Sequence, residues 1–231
     1  MMTLEPRLVV SLGAPATGKS TTLKEVCQKI DNAFYLDRDD ILLGLLNVAP
    51  TITEELLSFE DYVNKDDVFP KNARYIETPF GMMIQVDPKN AFNRRHGRDQ
   101  SYLIQAELSR TALALGKIPV LDCIVMRQIK DGTLRKFLDY DAFRGYSSFL
   151  VHFVADEEDC YNRIVKRSKL NPESAIRDRE MLKSKESFEK IIRGKHDMIP
   201  EELKNYEHLL VNTSEGTPEE CAKKVIDYIS R

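Results

Sequence analysis

The feature that most constrains the fold is the segment Gly13–Thr21, which reads GAPATGKST. It matches the pattern G-x-x-x-x-G-K-[ST] without a mismatch. A short apolar, β-branched run at residues 8–12 precedes it, and apolar residues with the spacing of one helix face follow it over residues 21–30. A strand, a glycine loop and a helix in this order are the context in which the pattern binds phosphate groups.

Each residue type in this segment suits phosphate binding. Gly13 and Gly18 allow backbone angles that aim N–H groups inward, and the start of the helix adds the positive end of its dipole. Lys19 supplies a cation to the β- and γ-phosphates, and the Ser20 hydroxyl can ligate Mg²⁺. The sequence therefore predicts a site for a magnesium–nucleoside triphosphate, formed by Gly13, Ala14, Pro15, Ala16, Thr17, Gly18, Lys19, Ser20 and Thr21.

Composition excludes several other classes of protein. Charged residues make up 31% and hydrophobic residues 42% of the 231 residues, as in soluble globular proteins. A net charge of −3 argues against a general nucleic-acid coat, although not against a local basic groove. The cysteines are scattered singly, which indicates reduced thiols, and no apolar run approaches the ~18 residues of a membrane span. We therefore expect a cytoplasmic protein without a membrane segment.

Five short apolar runs alternate with helical patterns along the chain. This alternation predicts an α/β fold with a five-stranded parallel sheet and helices on both faces, and ligands are expected beyond the carboxyl ends of the strands. Residues 49–98 do not follow the alternation, and we interpret them as an insertion in a single domain spanning residues 1–231. The runs lie at residues 8–12, 33–37, 118–124, 148–155 and 208–211.

Three helix boundaries are also predicted. Asp99–Ser101 would cap a helix that continues to about Leu115, and a second helix would extend over residues 128–143. Pro172 would open a third, which continues to about Ile192.

Acidic residues follow two of the predicted strands. Phosphoryl transfer requires a carboxylate that accepts the proton of the attacking hydroxyl. Asp39 is the best candidate for this base, because Asp37 still belongs to a strand and Asp40 is better explained as a residue of the first helical turn. Asp122 would hold the Mg²⁺ shell through water or orient the acceptor. A plain helix cap and an ordinary strand end are the respective alternatives.

A basic helical segment at about residues 160–180 is predicted to form a lid over the nucleotide. Arg163 and Arg167 are four residues apart, so both project from one helical face and could stabilise charge on the triphosphate. The alternative is a solvated face whose arginines pair with nearby carboxylates.

A second basic cluster lies at the end of the insertion. Arg94, Arg95 and Arg98 could grip a phosphate or a nucleic-acid backbone, which makes them candidates for acceptor recognition. A solvated loop is the competing explanation.

In this order, the motifs resemble the P-loop kinases of the polynucleotide 5′-hydroxyl kinase and zeta-toxin-like group. The resemblance rests on Gly13–Thr21, Leu36–Ile41, Gly116–Asp122 and the two lid arginines. It implies the three-layer sandwich of the P-loop NTPase kinases, with ATP and Mg²⁺ as cofactors. It also implies that Asp39 is the general base, that Asp122 lies beside the acceptor, and that Arg167 and Arg163 contact the donor phosphates with Lys19.

Two functions remain open at this point. The first is a kinase that transfers the γ-phosphoryl group of ATP to a hydroxyl of a nucleic-acid end, a nucleoside or sugar-nucleotide, or another metabolite. The second is a P-loop ATPase or nucleotide-driven switch acting on a protein or nucleic-acid partner. Such machines usually carry a strand that ends in two acidic residues, whereas Leu121-Asp122-Cys123 contains one. This favours the kinase.

Overall fold

The structure of the chain is a computed structural model, which describes residues 2–41, 74–78, 81–85, 91–122, 133–139, 143–170, 181–189 and 201–231. The chain divides into two compact units, Met1–Asp37 together with Leu108–Arg231, and Arg38–Glu107. The first unit carries the glycine loop, and the second includes residues 49–98. No helix within these described ranges is long and apolar enough to cross a membrane.

The described strands and helices of both units are numbered in chain order. The strands are β1 (Arg7–Leu12), β2 (Ala33–Asp37), β3 (Arg74–Thr78), β4 (Gly81–Gln85), β5 (Ile118–Asp122), β6 (Ser147–Val154) and β7 (His208–Asn212). The helices are α1 (Lys19–Lys29), α2 (Ala91–Ala114), α3 (Thr133–Leu138), α4 (Glu157–Leu170) and α5 (Pro218–Ile229), with a 3₁₀ helix at Glu201–Asn205 before β7.

Five strands form one parallel sheet in the order β2-β5-β1-β6-β7. These are the five strands that the apolar runs predict, so the fold class is confirmed. The order places β1, which leads into the glycine loop, at the centre of the sheet. The carboxyl ends of β2 and β5 lie side by side, with Asp37 directly in register with Asp122.

Both faces of the central strand are buried. Val9 belongs to a core that includes Leu23 and Val26 of α1 and Val225 of α5. On the alternate positions of β1, the side chains of Leu8, Val10 and Leu12 are 0% exposed as well. A strand buried on both faces needs a continuous apolar run, which explains why residues 8–12 are mostly apolar without alternation.

In the second unit, β3 and β4 form an antiparallel hairpin. The one apolar piece of residues 49–98, Met82–Ile84, lies in β4. The following helix begins at Ala91, so the prediction that Asp99–Ser101 caps it is wrong. A glycine such as Gly97 in a helix interior lowers helix stability by about 1 kcal/mol relative to alanine. The remaining residues of this 24-residue helix offset that cost.

Two other predicted helices have different bounds. The helix expected at residues 128–143 is described only as α3, which ends at Leu138, and Asp139 lies in a turn. Within the helix expected from Pro172 to Ile192, the described residues 181–184 are not helical, so one continuous helix is not formed. A new helical turn follows Ser184, whose Oγ accepts a hydrogen bond from the Ser187 N–H at 3.0 Å. This serine cap was the sequence signal for the break.

Among the described thiols of the first unit, Cys160 and Cys221 are buried and Cys27 is partly buried. Burial raises the pKa of Cys27 to about 12 and the pKa of Cys160 to about 11. Both thiols are therefore protonated at neutral pH. Cys27, Cys160 and Cys221 are free, as their scattered positions predict.

The terminal helix α5 begins with a capping box. The Thr217 hydroxyl accepts a hydrogen bond from the Glu220 N–H at 3.3 Å, and the Thr217 N–H donates to the Glu220 carboxylate at 2.8 Å. The two bonds satisfy backbone groups at the start of the helix that packs most extensively on α1.

We expect Thr217→Ala to lower the free energy of unfolding by about 1 kcal/mol, because it removes the side-chain acceptor. Denaturant titration of the purified chain measures this. Thr217→Ser, which keeps the hydroxyl, is the control. Equal losses in the two variants would contradict a capping role.

Candidate active site

The glycine loop passes unusually close to β6. Gly13 has φ +138°, and a Cβ atom at this position would lie 2.3 Å from the Phe153 carbonyl oxygen. Gly18, directly before α1, has φ +80°. Both positions therefore require glycine. Ala16 also has a positive φ, +65°, which is uncommon for a residue with a side chain and indicates that contacts hold the loop in this shape.

Contacts within the loop fix its lysine. The Lys19 ammonium group donates to the carbonyl oxygens of Gly13 at 3.0 Å and Ala14 at 2.8 Å. The Thr17 hydroxyl donates to the Ala14 carbonyl at 2.9 Å. Lys19 is thus held across the loop whose amides are predicted to bind phosphate.

Arg163 and Thr213, which lie outside the loop, hydrogen-bond to its backbone. Arg163, on α4, donates to the Ala16 carbonyl at 3.2 Å, the Thr213 hydroxyl at 2.9 Å and the Thr213 carbonyl at 3.1 Å. The Thr213 hydroxyl in turn donates to the Thr17 carbonyl at 2.8 Å. These bonds connect α4 and the residue after β7 to the loop backbone. In this structure Arg163 therefore supports the loop, and its predicted contact with donor phosphates stays a prediction.

Polar side chains meet at the carboxyl ends of β2 and β5. Asp122 is 8% exposed, and its Oδ2 accepts hydrogen bonds from the Ser20 hydroxyl and, at 2.9 Å, from the Tyr35 hydroxyl. The Tyr35 hydroxyl also lies 3.2 Å from Asp37 Oδ2. The structure thus brings together Ser20 and Asp122, the two residues for which the sequence predicts a role in Mg²⁺ binding.

The surroundings of Tyr35 keep its hydroxyl protonated. Burial raises the pKa of Tyr35 far above its usual range, and the charges of Asp122 and Asp37 raise it further. The hydroxyl consequently remains a hydrogen-bond donor throughout the neutral and moderately alkaline range.

The Ser20 and Asp122 side chains fit a magnesium ion. A hydroxyl and a carboxylate are hard oxygen donors, which Mg²⁺ prefers. Among the described residues, no group of three or more His, Cys, Asp or Glu side chains could hold a metal. A site with few protein ligands suits Mg²⁺, which usually retains waters and shares phosphate oxygens of the substrate.

Asp39 belongs to the second unit and lies in a helical turn that begins at Arg38, directly after β2. Its carboxylate forms an ion pair with Arg38, whose guanidinium lies 5.4 Å from the centre of the Tyr102 ring. The helix begins at Arg38, which places both Asp39 and Asp40 in its first turn. The role of Asp39 as general base stays a prediction.

The remaining candidates lie on helices. Arg167 is half-buried on α4, one turn beyond Arg163. The described part of the predicted lid is helix α4, and residues 171–180 lie outside the described residues. Arg94, Arg95 and Arg98 lie within α2 rather than in a loop. Their role in acceptor recognition stays a prediction.

Tyr35 and Thr213 were not among the residues that the sequence predicts for the site. Tyr35 and Asp37 alternate along β2 and therefore share one face, which was visible in the sequence. Their proximity to Asp122 depends on β2 pairing with β5, and the sequence does not specify that order. Thr213 follows β7 without any motif.

Comparison with known proteins identifies the fold. No family model and no curated protein matches the chain. A candidate kinase from Chloroflexus aurantiacus is similar with a TM-score of 0.56 and 12% identity, over 98% of this chain and 97% of that one. A gluconokinase from Sinorhizobium meliloti 1021 has a TM-score of 0.51 and 9% identity, over 98% and 95% of the two chains. The tunicamycin resistance protein of Deinococcus radiodurans has a TM-score of 0.51 and 14% identity, over 97% and 95%.

These likenesses, together with the parallel sheet and its glycine loop, give the chain the fold of the P-loop kinases. The narrower resemblance to the polynucleotide 5′-hydroxyl kinase and zeta-toxin-like group stays a prediction.

We expect Gly13→Ala to lower the free energy of unfolding by at least about 3 kcal/mol, because its Cβ would collide with the Phe153 carbonyl. Gly145→Ala is the matched control, because Gly145 also has a positive φ, +88°, but a Cβ added there would meet no atom within 4 Å. Its expected cost is about 1 kcal/mol. Thermal and denaturant unfolding measure both, and equal losses would exclude the close approach to β6.

Proposed function

We propose that this protein is an ATP- and Mg²⁺-dependent kinase that transfers the γ-phosphoryl group to an acceptor hydroxyl. The observation that carries the proposal is the hydrogen bond between Ser20 and Asp122, directly beside a glycine loop that holds Lys19. It joins a magnesium-ligating hydroxyl to an acidic strand end in a fold shared with kinases. Phosphoryl transfer depends mainly on such positioning and on charge neutralisation.

In the proposed reaction, each residue of this chain has one task. The amides of residues 13–19 and the Lys19 ammonium group hold the β- and γ-phosphates. Asp39 accepts the proton of the acceptor hydroxyl while its oxygen attacks the γ-phosphorus. The bond between that phosphorus and the β–γ bridging oxygen breaks, and ADP leaves. Arg167 stabilises the charge that develops, and Ser20 and Asp122 hold Mg²⁺, which neutralises charge on the phosphates when bound.

The acceptor is proposed to be a small polyhydroxylated molecule, such as a sugar or a nucleoside. Similar folds occur in a gluconokinase and in a sugar kinase from Janibacter sp. HTCC2649, which has a TM-score of 0.50 and 14% identity to this chain. The nucleic-acid end implied by the sequence resemblance is a separate candidate for the same chemistry.

Radiolabelled ATP distinguishes these acceptors. The protein is incubated with [γ-³²P]ATP, Mg²⁺ and panels of sugars, nucleosides, sugar-nucleotides and 5′-hydroxyl oligonucleotides, and the labelled product is identified. A kinase should hydrolyse ATP slowly until the right hydroxyl is added. Rapid hydrolysis that no acceptor changes would instead favour an ATPase or switch.

We expect Asp39→Asn to reduce turnover about 10²- to 10⁴-fold, because the amide cannot accept the acceptor's proton, while ATP binding is retained. Asp40→Asn, which changes the neighbouring helix residue, should leave turnover within a few-fold of the unaltered protein. Steady-state kinetics on the identified acceptor measure both. Near-full transfer by Asp39→Asn would show that another group is the base.

The three arginines of α2 are proposed to bind an anionic group of the acceptor. Replacing Arg94, Arg95 and Arg98 with glutamine should raise the KM for that acceptor about tenfold or more and leave the KM for ATP unchanged. A matched control replaces the exposed Lys223 and Lys224 of α5 with glutamine. Unchanged acceptor kinetics in the arginine variant would assign these residues to solvated surface.

A further inference from the structure

The Tyr35 hydroxyl lies between two carboxylates. Its oxygen is 2.9 Å from Asp122 Oδ2 and 3.2 Å from Asp37 Oδ2. A phenol has one proton, so it donates to one carboxylate at a time, and the shorter distance assigns the proton to Asp122. Asp122 Oδ2 thereby receives two donors, Tyr35 from β2 and Ser20 from α1.

The ring that carries this hydroxyl is itself held in place. Tyr35 packs against the core formed by the sheet, α1 and α5. The Lys24 ammonium group, one helical turn after Ser20, lies 5.3 Å from the centre of the Tyr35 ring. Tyr35 also pairs in register with Val120 of β5, two residues before Asp122. The position of the hydroxyl is therefore set by both β5 and α1.

We propose that Tyr35 is a positioning residue for a magnesium site. Its hydroxyl orients the Asp122 carboxylate toward the Ser20 hydroxyl. This inference rests on the proposed function. Asp37 and Asp122 are in register on neighbouring parallel strands, so their charges repel each other across a short distance. The shared phenol stabilises Asp122 in the orientation that faces Ser20. Without this bond, the carboxylate can rotate away from the ion.

Residues that hydrogen-bond to a metal-ligating side chain typically contribute 10- to 100-fold to metal affinity. We therefore expect loss of the Tyr35 hydroxyl to weaken magnesium affinity about tenfold. The effect should be specific to the metal. The phosphates are proposed to bind Lys19 and the loop amides, whereas Tyr35 is proposed to act on the metal ligand Asp122, so metal-free nucleotide binding should be unchanged.

The test is the magnesium dependence of nucleotide binding by Tyr35→Phe. A fluorescent ATP analogue is titrated into the full chain in EDTA and then at increasing Mg²⁺ concentrations. Tyr35→Phe should require about tenfold more Mg²⁺ for half-maximal enhancement, and saturating Mg²⁺ should restore the affinity of the unaltered protein. Metal-free affinity should agree between the two proteins.

Tyr228→Phe is the matched control. Tyr228 belongs to the same core, and its hydroxyl lies 3.5 Å from the Glu207 carbonyl. Its loss should leave the magnesium dependence unchanged. A similar shift in Tyr228→Phe would assign the effect to general loosening of the core and overturn the inference.

A double-mutant cycle with Asp122→Asn tests whether Tyr35 acts through Asp122. If it does, adding Tyr35→Phe to Asp122→Asn causes no further shift in magnesium dependence. An additive tenfold shift would contradict the inference. Absence of any magnesium-enhanced binding by the unaltered protein would refute the proposed function itself, whereas enhanced binding with an unchanged Tyr35→Phe would refute this inference alone.

Discussion

The site depends on a close approach between the glycine loop and β6. At Gly13 the loop lies so near the Phe153 carbonyl that any side chain would collide with it. Residues distant in sequence also hold the loop, because Arg163 donates to the Ala16 carbonyl and Thr213 donates to the Thr17 carbonyl. A loop with an unusual backbone at Ala16 can persist only because these contacts determine its shape. The phosphate-binding geometry is therefore a property of the whole sheet rather than of one motif.

Asp122 connects this loop to the neighbouring strand. Ser20 reaches it from the first turn of α1, and Tyr35 reaches it from β2. The chain continues from β2 into Arg38 and Asp39, the predicted base. Asp122 thus ends β5, and Asp37 ends the strand β2 that pairs with it. This is the arrangement expected beyond the carboxyl ends of a parallel sheet.

Much of this architecture was predictable from the sequence, and the exceptions have physical causes. The central strands β1 and β5 are buried apolar runs, and β6 is buried over most of its second half, so these strands were readily visible in the sequence. The start of α2 was missed because Gly97 and the preceding polar residues disfavour helix locally, although the longer helix forms. The glycine loop and Asp122 were visible as a motif and a strand end. Tyr35 and Thr213 were not, because their roles depend on strand order, which arises from packing between distant parts of the chain.

Calorimetric titration of the purified protein with ATP, in the presence and absence of Mg²⁺, tests the central claim most directly. The account predicts saturable binding of one nucleotide per chain that Mg²⁺ strengthens, and loss of that binding in Lys19→Ala. No measurable affinity for ATP or GTP with Mg²⁺ would contradict the assignment of Gly13–Thr21 as a triphosphate site, and with it the proposed kinase activity.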